Sequence, residues 1–134
     1  MKKSRNAVAL AARIMLALMF VIAGFGKIPG FADTSNLMTN AGVPFANVLL
    51  VLTILIELGG GTAIILGWKT RAIALVVFLF TGLVTFLFHA FWSAPPDQAM
   101  LQQLMFMKNV AVMGGLLLLY VYGPGDYALD DARD

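Results

Sequence analysis

Four long apolar runs dominate the sequence and leave little of it for any other structure. They extend over about residues 7–26, 44–66, 72–91 and 101–122, and each is close to the roughly 20 residues that a helix needs to cross a hydrocarbon core. Hydrophobic residues make up 60% of the chain and charged residues 12%, against roughly 45–50% and about 25% in an ordinary soluble domain. The sequence therefore predicts an all-α integral membrane four-helix bundle, a single domain over residues 1–134 with a cytoplasmic tail at 123–134.

The first apolar run follows a basic start, as it would in a secretory signal peptide. Arg13 would interrupt the apolar core of such a signal, and three further runs come after it. We therefore interpret residues 7–26 as a retained membrane span.

Basic residues predict how the bundle is oriented. They collect on the side shared by the N-terminus, the loop after the second run and the C-terminus. These residues are Lys2, Lys3, Arg5, Lys69, Arg71 and Arg133. Only Lys27 lies opposite, so the positive-inside rule places both termini in the cytoplasm. The outward-facing loop 31–43 is expected to hold one short helical turn on the membrane surface, with Asp33 capping its start and Gly42 ending it.

Polar residues inside the predicted spans are the main functional signal. Ionisable side chains are costly in lipid, so they normally face the bundle interior and find partners there. The candidates for ligand binding or proton relay are Arg13, Lys27, Glu57, His89, Lys108 and Asn109. Because residues three, four and seven apart share one face of a helix, each span gains a stripe of polar and small residues. We predict that these stripes meet in a shared interior.

Glu57 is the only acidic residue within the predicted spans. We predict an ion pair between Glu57 and either Lys108 or Arg13, with Lys108 favoured because its long stem can reach inward. The alternative for Arg13 is to extend toward Asp126, while Lys27 is expected to extend to the outer surface. The pair has two interpretations: a structural contact that sets the helix register, or a carboxylate that accepts a proton or binds a ligand.

Several function classes have no support in the sequence. The chain has no cysteine, which excludes a disulfide, a thiolate metal site and a thiol nucleophile. His89 stands alone, and a lone histidine is weak evidence for a metal. The net charge of +2 is too small and too scattered to indicate nucleic-acid binding. Gly59-Gly60-Gly61 lacks the lysine and flanking strand of a phosphate loop, and we interpret it as a close helix contact or a bend.

Several short motifs occur together in an order and spacing that span nearly the whole chain. They are Arg13 with Gly24-Phe25-Gly26-Lys27, Glu57-Leu58-Gly59-Gly60-Gly61, Gly67-Trp68-Lys69-Thr70-Arg71, Phe88-His89, Lys108-Asn109 and Gly123-Pro124-Gly125-Asp126-Tyr127. Together they resemble the DoxX family of small bacterial membrane proteins. The resemblance implies a four-helix bundle in the bacterial inner membrane. It also implies recurring polar positions at Arg13, Lys27, Glu57, Lys108 and Asn109.

The resemblance also suggests functions. Some relatives are linked to quinone-coupled sulfur oxidation or to complexes that answer oxidative and thiol stress. For this chain the family implies a redox-associated accessory that binds a quinone-like lipophilic ligand in a polar intramembrane cavity, with a quinone as cofactor and a soluble redox partner. One alternative is a small proton-coupled transporter or permeability protein that acts as a homo-oligomer in the lipid bilayer. Another is a structural subunit of a membrane complex, and the sequence leaves open whether the protein is an enzyme.

Overall fold

Residues 1–130 are described in the computed structural model, and they form five α-helices and no strand. The helices are α1 (Lys2–Gly26), α2 (Phe31–Asn40), α3 (Ala46–Leu66), α4 (Thr70–Phe88) and α5 (Ala99–Tyr122). Each of α1, α3, α4 and α5 is long and apolar enough to cross a membrane. The prediction of an all-α protein with four spans is therefore confirmed. Arg133, one of the basic residues used for the orientation, lies outside the described residues.

The loop between the first two spans contains a full helix, α2, rather than the single turn expected. Asp33 lies within the first turn of α2, and no side chain caps the start of the helix, so the predicted cap is wrong. Gly42 does follow the end of α2, with φ at +81°. A residue without a Cβ adopts this conformation at little cost, which explains why the helix stops there.

Helices α1 and α3 cross at small residues. A Cβ added at Gly24 of α1 would lie 2.8 Å from the backbone nitrogen of Leu58, and one added at Gly61 of α3 would lie 2.9 Å from Val21 Cγ2. Glycine at both positions lets the two backbones approach each other closely, as small residues do in membrane helix pairs. The interpretation of the glycine run as a close helix contact is therefore correct at Gly61.

The middle of α3 is wider than an α-helix. Residues Leu55–Gly60 form a π-helical turn, with α-helix on both sides. Such turns are rare and occur often at functional sites, because they change the direction of the side chains that follow. Glu57 lies within this turn and is buried.

The N-terminus, the α3–α4 turn and the C-terminal tail all lie at one end of the bundle. Lys2 Nζ lies 3.3 Å from Asp126 Oδ2, and the Leu129 N–H donates to the Leu66 carbonyl at 3.1 Å. The grouping of basic segments used in the sequence analysis is thus present in the fold. That this end faces the cytoplasm stays a prediction.

Asp130 attaches the tail to the start of α4. Its carboxylate accepts hydrogen bonds from the backbone N–H groups of Lys69 at 2.5 Å and Thr70 at 2.7 Å. Partial burial acts to raise the pKa of Asp130, but the hydrogen bonds from Thr70 and Lys69 and the charge of Arg13 outweigh it and lower the pKa below its usual value. The ionised carboxylate of Asp130 therefore holds the tail against the start of α4.

A small apolar core joins the four spans. Its buried members are Ala17, Phe20, Ile64, Ala74, Val77 and Leu116. Packing is uneven around the bundle: α1 packs along α3, α4 packs along α5, and α1 meets α5 only sparsely. A groove therefore opens between the first and last spans.

Candidate functional site

A largely buried ion pair joins the C-terminal end of α1 to the middle of α3. Lys27 Nζ donates to Glu57 Oε2 at 2.8 Å, with the Lys27 side chain 25% exposed and that of Glu57 9%. The predicted pairing of Glu57 with Lys108 or Arg13 is therefore wrong, as is the expected extension of Lys27 to the outer surface. Lys27 directly follows the last turn of α1, from where its stem reaches back to the carboxylate. A cation is also favoured at this position by the unpaired carbonyls of the helix end.

Two polar cavities adjoin this ion pair. The small polar cavity has a volume of about 180 Å³ and the large polar cavity about 310 Å³. The side chains that line both are Lys27, Glu57, Phe80, Val84 and His89. Lys108 and Asn109 also line the small cavity, and Gln102 also lines the large one. Five of the six candidate residues thus line one or both of these adjoining cavities, which together form the polar region of the site.

A third, apolar cavity of about 380 Å³ lies between α3 and α4. It shares lining residues with the large polar cavity, namely Met38, Thr53, Phe80, Val84 and Phe88. Thr53 provides the only polar side chain in its wall. The large polar cavity beside Glu57 therefore adjoins an apolar cavity.

His89 lies where α4 ends and contacts the start of α5. Its Nδ1 lies 2.8 Å from Gln102 Oε1, and in this assignment the imidazole donates and the amide oxygen accepts. Nε2 of the neutral ring is then an acceptor, which suits His89 to receive a proton or a hydrogen bond. The sequence analysis did not connect Gln102 with His89. Gln102 lies seven residues before Asn109, which places both on one helix face, and this spacing could have identified Gln102 as a residue of the site.

Asn109 is the buried polar residue of α5. It is 5% exposed and donates through Nδ2 to Thr85 Oγ1 at 3.0 Å. Thr85 in turn donates to the Thr81 carbonyl at 2.6 Å. This chain of hydrogen bonds joins α4 to α5 beneath the small polar cavity.

Lys108 faces away from the core, on the neighbouring side of α5. It is exposed, and its ammonium group contacts Met105 Sδ at 3.8 Å. No carboxylate among residues 1–130 lies within ion-pair distance of it. Lys108 lines the small polar cavity and also the groove between α1 and α5.

Arg13 is the one candidate that lies away from the polar region. It is 2% exposed and donates through Nη2 to the carbonyl of Tyr127 in the tail, and not to Asp126 as the alternative proposed. Its Nε and Nη1 atoms are buried without a hydrogen-bond partner among the described residues. Arg13 thus supports the tail and lines the groove between α1 and α5.

The site as a whole contains one carboxylate, two ammonium groups and one imidazole. Within residues 1–130 no three His, Asp or Glu side chains come together as metal ligands. The described groups can donate and accept hydrogen bonds and exchange protons with a molecule in the polar cavities.

Comparison with known proteins relates this geometry to a family. The DoxX family model matches residues 8–90. The chain is 45% identical over 130 residues to inner membrane protein YqjF of Escherichia coli K12, covering 97% of this chain and 95% of that protein. It is 32% identical over 127 residues to inner membrane protein YphA of the same organism, covering 95% and 91%.

A more distant similarity reaches eukaryotic proteins. The chain is 25% identical over 133 residues to the Surfeit locus protein 4 homolog of Drosophila melanogaster, covering 98% of this chain and 43% of that protein. No solved structure gives a significant match. The family match and the two bacterial relatives agree over most of the sequence, and both relatives are named inner membrane proteins. The chain belongs to the DoxX family, and it is a multi-pass protein of the bacterial inner membrane.

Proposed function

We propose that this protein binds a quinone-like lipophilic ligand, with the ligand's polar ring in the large polar cavity and its apolar tail in the adjoining apolar cavity. The observation that carries the proposal is the position of the Lys27–Glu57 pair in the wall of a cavity that shares five lining residues with an apolar cavity. A quinone has this same division, with carbonyl oxygens at one end and a hydrocarbon tail at the other. The protein would then act as a redox-associated accessory that receives electrons from a partner.

The volumes and the donor set fit such a ligand. Ligand cavities usually measure about 300–1,000 Å³, and the two adjoining cavities measure about 310 Å³ and 380 Å³. The Lys27 ammonium has further N–H donors beyond the one given to Glu57, and a quinone oxygen accepts such bonds. When the ring is reduced by the partner its oxygens take up protons from the medium, which the Glu57 carboxylate and Nε2 of His89 can accept and pass on. No part of this role requires a thiol, and the chain has none.

Binding of ubiquinone-2 to the purified protein tests the proposal. We expect native mass spectrometry to detect a bound quinone and thermal unfolding to shift upward with its concentration, because a ligand of the folded state stabilises it. Squalene, an isoprenoid hydrocarbon without carbonyls, is the control ligand and should give no such shift. Equal responses to both compounds would overturn the proposal.

A pair of phenylalanine variants locates the site. Thr53 lines both the large polar and the apolar cavity, so Thr53→Phe should fill the passage between them and abolish the ubiquinone-2 shift. Val48 lies on the same helix and is 68% exposed, so Val48→Phe should leave binding unchanged. If Thr53→Phe binds ubiquinone-2 as the wild type does, the ligand does not occupy this cavity.

One observation favours a second function. Cavities lie on both sides of the Lys27–Glu57 pair, as they would around a carboxylate that exchanges a proton for a cationic substrate. Four spans offer little room for a complete pathway, so transport would call for an oligomer. Reconstituted wild type and Glu57→Gln distinguish the two functions, since proton-coupled flux that stops in the variant supports transport. Equal flux would exclude Glu57 from such a mechanism.

A further inference from the structure

The groove between α1 and α5 has a volume of about 720 Å³, and the proposed quinone site makes no use of it. Its walls are built mainly from small and apolar side chains. The small residues, which leave space between the two helices, are Ala9, Ala12, Ala111 and Gly115. The stretch of α1 from Ala9 to Met19 that borders it measures about 15 Å at the helical rise. The groove is thus long enough for an extended hydrocarbon chain.

The charges along this groove are all of one sign. Its lining contains Arg13 and Lys108 and no aspartate or glutamate. The charge of Arg13 is partly balanced by Asp130, whose pKa it helps to lower. Lys108 has no such partner within residues 1–130, and its ammonium contacts only a methionine sulfur. An unpaired cation on a membrane span is costly, so its presence indicates an anion supplied from outside the chain.

We propose that this groove binds one anionic phospholipid, with an acyl chain along the small residues and the phosphate on Lys108. Met105 lies one turn closer to the start of α5 than Lys108 does, so the ammonium points toward the nearer membrane surface, as lysine side chains do when they reach for headgroups. A second copy of the chain fits less well. Two-fold packing on this face would bring a second Lys108 and Arg13 to the first pair, with no acidic side chain between them.

This lipid site is independent of the proposed quinone site, and binding experiments can separate the two. In native mass spectrometry of the delipidated protein, we expect phosphatidylglycerol to bind about tenfold more tightly than phosphatidylcholine of the same chains, since each basic residue contributes to such a preference. Lys108→Gln should bring the two affinities close together. Glycerol 3-phosphate, which carries the charge without the chain, should not displace the lipid.

Two alanines on α1 provide a matched pair of variants. Ala12 lines the groove, whereas Ala11 is exposed and does not. Ala12→Phe should abolish the preference for phosphatidylglycerol, and Ala11→Phe should retain it. Thr53→Phe, which closes the quinone site, should also retain it, so that either proposal can fail without the other.

Three outcomes would overturn the lipid proposal. They are equal binding of the two lipids by the wild type, an undiminished preference in Ala12→Phe, and displacement of the lipid by glycerol 3-phosphate. A change of Ala12→Phe from dimer to monomer, with no change in lipid preference, would assign the groove to a contact between copies instead.

Discussion

Lys27, the residue that follows the last turn of α1, donates a hydrogen bond of 2.8 Å to Glu57, in the π-helical turn of α3. The two residues are 30 apart in sequence, and their contact joins the first two spans. It also places an acid and a base on the wall of both polar cavities. The contact between α1 and α3 and the binding proposed above therefore involve the same two side chains.

Removing one member of the pair should cost more than removing both. We expect Lys27→Met or Glu57→Gln alone to lower the free energy of unfolding by about 3 kcal/mol, at the low end for a buried pair because Lys27 is partly exposed. The double variant should recover most of this loss, since no charge is then left without a partner. Thermal unfolding in detergent measures all four proteins, and additive losses would contradict a direct pair.

Two glycines should respond in opposite ways to alanine. Gly24→Ala places a Cβ 2.8 Å from a backbone atom of α3, which forces the helices apart and should cost about 1–3 kcal/mol. Gly59→Ala meets nothing within 4 Å and should be neutral or slightly stabilising, because alanine is the better helix former. Thermal unfolding of both variants tests this, and equal losses would contradict the described α1–α3 contact.

The tail should detach from the bundle at acidic pH. Hydrogen bonds from Asn6 and Lys2 lower the pKa of Asp126, and the pKa of Asp130 is also lowered. A carboxyl group with a lowered pKa in the folded state stabilises it above the unfolded pKa, about 3.9, and the contribution disappears as the pH falls through the folded pKa. Tail contacts should therefore hold at neutral pH and weaken below about pH 4.

Trp68 reports on this transition, because it lines the same pocket as Leu129 of the tail. Its fluorescence, measured with Trp92→Phe as background, should change on acidification. Asp130→Ala should produce the same change at neutral pH and lower stability by about 1 kcal/mol, as the loss of a helix cap does. Asp97→Ala, in the turn between α4 and α5, is the control, and a tail signal in that variant would contradict the assignment.

The hydrogen bond from Asn109 to Thr85 should contribute modestly to the α4–α5 contact. Thr85→Val leaves the Asn109 amide without its described acceptor and should cost about 1 kcal/mol, within the range found for side-chain hydrogen bonds in membranes. Thr62→Val is the matched control, because Thr62 donates only to the Leu58 carbonyl of its own helix. Thermal unfolding compares them, and equal costs would mean that the Asn109 contact adds nothing.

Much of the fold could be predicted from the sequence because helical spacing determines which side of a span is polar. On α1 the residues that share one face at helical spacing, Arg13, Ala17, Phe20 and Gly24, are all buried. On α5 the spacing gives two adjoining polar stripes, one through Lys108 and Ala111 and one through Asn109; the structure buries Asn109, whereas Lys108 and Ala111 are exposed. Both stripes have helical spacing, and only packing against α4 decides between them.

The partner of Glu57 could not be predicted for a different reason. Helical spacing gives the direction in which a side chain points around the axis of its helix. It does not give the position along two neighbouring helices at which they cross. Lys27 follows the end of α1 and was therefore assigned to the membrane surface, yet the crossing at Gly24 brings Leu58 and Glu57 to its level. The tail contacts of Asp130 were missed because they depend on a chain segment without any repeating pattern.

The wide turn at Leu55–Gly60 also limits which insertions and deletions this family member can accept. Losing one residue there would let the segment close into a regular α-helix, which by local criteria is the more favourable backbone. Every residue beyond the deletion would then rotate by about 100° around the helix axis. Gly61 and Ile64, both buried now, would turn away from α1. The local backbone would be more favourable, but the packing between α1 and α3 would be lost.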